Sequence, residues 1–147
     1  MKFPSILLIL IAAAFAGCAT PPPAKISFGP SQYRVDHSLS NYRSIDYPVR
    51  LENISNHPIW YYGFVQPGHT IYTRPTPRDR WTEDTWRRMC GMADSFHKVA
   101  PGESTYFGIF FPATQSGQQF RLELSVFDSP DNKSKPFRLR TPAMEIR

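Results

Sequence analysis

The chain reads as all-β, an antiparallel sandwich of about seven to eight strands, and three observations carry that reading. Fifteen prolines interrupt nearly every window of the 147 residues long enough for a helix. Short apolar stretches recur between clusters of turn residues, the spacing of strands in a sandwich. Phe120, Leu122, Leu124 and Val126 alternate with Arg121, Glu123 and Ser125, a two-residue period that buries one face and wets the other.

The elements follow in order. Val49 and Leu51 alternate with Arg50 and Glu52 as a half-buried strand. Asn53-Ile54-Ser55-Asn56-His57-Pro58 turns the chain into a strand from Ile59 to Phe64. Alternation there puts Trp60 and Tyr62 on one face and Tyr61 on the other. Pro67-Gly68 makes the next turn, leading to a strand over Thr70–Thr73. Thr82 can cap a helix, acids fill the first turn, Arg87 and Arg88 fall in the last, and Gly91 suits the position beyond it. That window is expected to form a short helix or helical turn within a long loop. Phe96–Val99, Ser104–Phe111 on either side of Ala100-Pro101-Gly102-Glu103, Phe120–Val126, Pro136–Arg140 and Ala143–Ile146 complete the set.

The run Leu51 to Ile59, the turn Pro101-Gly102-Glu103-Ser104 and the alternating Phe120-Arg121-Leu122 together resemble immunoglobulin-like or fibronectin-like sandwiches of bacterial exported proteins. The resemblance covers most of residues 45–147. It implies a binding, spacing or assembly module, and it carries over no catalytic residue.

The amino terminus speaks to address. Lys2 precedes the apolar run Ile6–Ala14, too brief to span a bilayer, and Phe15-Ala16-Gly17-Cys18 follows. This resembles the lipobox of bacterial lipoproteins, with Phe15 where leucine is usual, and implies that Cys18 is acylated and becomes the mature terminus. Ala19 in place of Asp implies transport to the outer membrane, facing the periplasm or the cell surface. Ala14-Phe15-Ala16 also satisfies a small-x-small cleavage rule, and cutting there would release a soluble protein beginning at Gly17. Pro21-Pro22-Pro23 favours an extended spacer at about 3.1 Å per residue. The expected organisation is a signal over 1–17, a lipidated tether over 18–25 and the sandwich over 26–147.

Composition narrows function. Lys and Arg outnumber Asp and Glu by 17 to 12, a mild and dispersed excess. It suits weak attraction to anionic surfaces and argues against nucleic acid, which calls for a concentrated basic face. The sequence has no Gly-x-Ser-x-Gly elbow and no phosphate-binding glycine loop, so neither an enzyme nor a cofactor is expected. Arg78, Arg80, Arg87 and Arg88, with Arg74, surround Trp81 and Trp86. Guanidinium groups beside indoles can grip an envelope protein or an anionic polysaccharide. Cys90, Met92 and His97 are soft ligands of the kind that select copper. The expectation is therefore a lipid-anchored, non-catalytic envelope module, with a periplasmic copper-binding protein centred on Cys90 as the alternative.

Overall fold

The computed structural model describes residues 21–36, 42–63, 67–83, 95–131 and 135–147. Among them the chain is all-β, two antiparallel sheets enclosing one core. The strands are β1 (Ala24–Phe28), β2 (Gln32–Asp36), β3 (Tyr42–Asn53), β4 (Ile59–Gly63), β5 (His69–Arg74), β6 (Thr82–Glu83), β7 (Ser95–Val99), β8 (Ser104–Pro112), β9 (Gln119–Phe127), β10 (Phe137–Arg140) and β11 (Met144–Glu145).

Register reduces these eleven segments to seven lines. β8 pairs with β3 from Glu52 to Ser44, so β1 and β2 share the other edge of β3. Phe28 opposes Val49 and Gln32 opposes Asp46, which leaves one extra residue between β1 and β2, a bulge. In the second sheet β10 and β11 share one edge of β9, while β5 and β4 share the other. Tyr61 opposes Val126 and His69 opposes Leu124, so the change from β4 to β5 along this edge falls at the single residue Ser125. β6 and β7 flank β5 and β4 on their far side. The result is a three-line sheet facing a four-line sheet.

Three segments go beyond the sequence expectation: β1, β2 and β6. Ala24 and Lys25, assigned to the tether, already pair with Asn53 and Glu52. The helical turn expected from Thr82 is corrected at its start. Thr82 and Glu83 are extended and oppose Thr73 and Tyr72, because an edge strand offers β-branched Thr82 a cross-strand partner where a helix would offer only a cap. Its remaining residues lie outside the described set. Helical geometry appears instead as a 3-10 turn over Ala113–Gln115. Among the described residues no helix is long and apolar enough to cross a membrane.

The core is built from the inward residues of both sheets, Ile45, Tyr47, Val49 and Leu51 of β3 against Phe120, Leu122, Leu124 and Val126 of β9. Asn53 ends β3 at one end of the sandwich, beside the turns over 54–58 and 100–103. Gly102 has φ +77, and the amide of Glu103 donates to the carbonyl of Ala100 at 3.0 Å, the geometry that Pro-Gly favours. At the opposite end, the Tyr47 hydroxyl accepts from the amide of Arg147 at 2.8 Å and donates to the carbonyl of Glu145 at 3.2 Å. Tyr47→Phe is expected to lower stability by about 1 kcal/mol, read as a shift in denaturation midpoint, with the Arg147 amide losing exchange protection.

Candidate functional site: the outer face of the four-line sheet

Alternation along β9 turns Arg121, Glu123, Ser125 and Phe127 outward, each half-buried among its neighbours. Arg121 lies opposite Tyr72 of β5, and Gln119 lies opposite Arg74. Trp81 precedes β6, whose pairing with β5 brings the indole beside these groups. The guanidinium carbon of Arg74 sits 4.3 Å from the Trp81 ring centroid and that of Arg121 sits 4.5 Å from it. Arg121 is also 5.1 Å from the ring of Tyr72. Such contacts are worth roughly 0.5–1 kcal/mol at exposed sites and about 2 when desolvated.

Hydrogen bonding around the two arginines is sparse. Arg74 Nε donates to Gln119 Oε1 at 2.8 Å. Arg121 Nε is buried with no acceptor among the described residues. Two neighbouring carboxylates bond elsewhere: Glu123 accepts from Arg140 Nε at 2.8 Å and Glu145 pairs with Arg147 at 3.1 Å. Stacking holds two positive charges beside one indole.

Further along the same face an aromatic column begins. Phe96 of β7 meets Tyr62 at 5.1 Å and Phe127 at 5.2 Å, both edge-on. Trp60 lies opposite Phe127, and Tyr62 is 42% exposed. The expected split of this strand holds, since Tyr61 is buried on the inner side.

The sequence-derived residues fare unequally. Trp81 is at the centre of the cluster. Arg78 and Arg80 are exposed on the turn after β5, where Thr76 N donates to Asp79 Oδ2 at 2.8 Å, and neither stacks on Trp81. Arg74 and Arg121 take that place, because strand pairing selects the outward residues of β5 and β9 over sequence neighbours of the indole. Trp86, Arg87, Arg88, Cys90, Met92 and Cys18 lie outside the described residues. His97, the remaining member of the soft-ligand set, stacks on Tyr61 at 5.1 Å, and its Nε2 lies 3.0 Å from the Gly63 carbonyl and 3.1 Å from Ser95 Oγ. Among the described residues no three of His, Cys, Asp and Glu converge.

Arg121 and Tyr72 were the residues that sequence reasoning missed. The period-two pattern announces that Arg121 faces outward, yet only the β5–β9 register sets it beside Tyr72 and Trp81.

Two surface depressions lie elsewhere, one of about 410 Å³ along Lys135–Arg138 and one of about 240 Å³ over Arg34, Asp46, Pro48 and Gly108. Neither includes the arginine cluster.

No family model matches the chain, and no curated protein matches it. Among solved structures it is similar to the crystal structure of a Bordetella pertussis protein provisionally named ApaA. The two share 17% identity over 85% of this chain and 94% of that one, with a TM-score of 0.55. At that identity the likeness speaks to the β-rich fold.

Proposed function

We propose that this chain is an exported, lipid-anchored envelope protein whose immunoglobulin-like domain is a non-catalytic binding module. The observation that carries the anchor is Ala16-Gly17-Cys18 at the end of a short apolar run, directly ahead of a proline spacer. Each buried methylene contributes about 0.8 kcal/mol, so two or three acyl chains hold a domain durably where one does not. The spacer ends against the domain, where the Pro23 carbonyl accepts from Ile54 N at 3.0 Å before β1 begins.

Seven lines divided three and four, with β3 central in one sheet and β9 in the other, support the immunoglobulin-like reading. The outer face of the four-line sheet, arginine-rich at one end and aromatic at the other, is its contact surface. The membrane is met through the Cys18 lipid, in the outer membrane, and the partner is an envelope component.

Expressed in a bacterial host with labelled palmitate, the wild-type chain is expected to carry label and to sediment with outer membranes. Cys18→Ser is expected to lose the label and more than nine-tenths of the membrane fraction. Label retained in that variant, or a wild-type mature terminus at Gly17, removes the anchor.

A further inference from the structure

We infer that the Arg74–Trp81–Arg121 cluster is the oxyanion subsite of a binding face for an acidic saccharide. This rests on the reading of the outer sheet face as the contact surface and names what that surface takes.

A guanidinium offers five N–H groups in a planar fork, and stacking on an aromatic ring leaves the in-plane edge uncommitted. Arg74 uses its Nε on Gln119, which leaves its two terminal nitrogens, and the buried Nε of Arg121 has no hydrogen-bonding partner among the described residues. Natural surfaces usually answer paired arginines with carboxylates. Here Glu123 and Glu145 lie on the same sheet but bond to Arg140 and Arg147. Two guanidinium forks held by stacking suit a bidentate planar carboxylate or a phosphate.

The rest of the face selects the ligand that carries the anion. From Arg121 to Phe127 along β9 is six residues, roughly 20 Å. The intervening outward positions are polar, Glu123 and Ser125 of β9 with Thr70 of β5, and the far end is the Tyr62–Phe96–Phe127 column. A small free anion would use one end only. A glycan chain presents oxyanions, hydroxyls and apolar ring faces in succession, and it matches both ends and the polar middle.

The test uses the full-length protein in detergent, with intrinsic tryptophan fluorescence as readout and three probes. These are oligogalacturonate, inorganic phosphate and neutral dextran of matched length. Oligogalacturonate is expected to bind, with affinity falling as salt rises. Arg74→Gln/Arg121→Gln is expected to weaken it at least tenfold and to flatten the salt dependence, with the denaturation midpoint as a check that the variant is folded. Tyr62→Ala is expected to weaken it several-fold while leaving the salt slope intact. Inorganic phosphate is expected to compete only at much higher concentration. The proposal is overturned if oligogalacturonate does not bind, if dextran binds equally well, if phosphate alone matches the oligomer, or if the folded double variant binds like wild type. None of these outcomes bears on Cys18 acylation, so a failed subsite and a failed anchor are distinguishable.

Discussion

Phe120→Ala is expected to cost about 4 kcal/mol of unfolding free energy. Phe120 is fully buried in β9, and its ring joins the two sheets. It lies 4.6 Å from Phe111, 5.1 Å from Tyr47 and 5.7 Å from Phe28, all on the opposite sheet. Those three rings are fixed by three different strands, so none can swing across to fill the void, and the cavity persists. The expected signature is a large fall in guanidinium midpoint with an unchanged slope, because the surface exposed on unfolding hardly differs. Phe120→Leu keeps most of the volume and should lose less than half as much. Tyr106→Ala, at a position 69% exposed on the outer face of the other sheet, should stay within about 0.5 kcal/mol. Equal losses at Phe120 and Tyr106 would contradict the packing described.

The second large effect is polar. Asn53→Ala is expected to cost about 3 kcal/mol. The side chain is fully buried and fully used. Nδ2 donates to the carbonyls of His57 at 2.8 Å and Val99 at 2.9 Å, while Oδ1 accepts from Ser55 N at 2.9 Å and Ser55 Oγ at 2.7 Å. Its backbone joins the same knot, donating to the Glu103 carbonyl and accepting from Gly102 N, both at 3.0 Å. Alanine would take a side-chain donor from the Val99 and His57 carbonyls and the acceptor from Ser55 N at the junction of β3, β4 and β7, leaving the His57 carbonyl only Ser55 Oγ at 2.8 Å. Asn53→Asp keeps the acceptor but turns a second oxygen toward the carbonyls of His57 and Val99, so it should be no milder. Hydrogen exchange should show lost protection first at Ser55. Protection unchanged in Asn53→Ala would mean the knot does not hold the turn.

Legibility in the sequence follows from the physics of each segment. β9 is plain because one face is wholly buried and the other wholly polar or aromatic. The turn at Pro101-Gly102 is plain because only glycine takes that φ without cost. β3 is visible only in its second half. Pro48 interrupts the pattern, and it is tolerated because it sits beside the bulge between β1 and β2, where its carbonyl still accepts from Gly29 N at 2.8 Å. β2 is exposed along its whole length, so no buried face imprints a period on it. At the candidate site, the sequence identifies Trp81 and a surplus of arginines. It cannot choose among them, because the choice is made by pairing between β5 and β9, nearly fifty positions apart in the chain. Asn53 was visible only as a residue at a strand end; that it ties three strands together depends on the turns around it.

The chain enters β1 where Ala24 opposes Asn53, and Phe127 is at that same end of β9. Arg121 and Trp81 are displaced toward the other end, roughly 20 Å further along the strands. A lipid at Cys18 and an extended stalk up to Pro22 would add a standoff of about 15 Å. With Cys18 lipidated and the strands upright on the membrane, the paired guanidiniums would stand about 35 Å from the headgroups, beyond their reach.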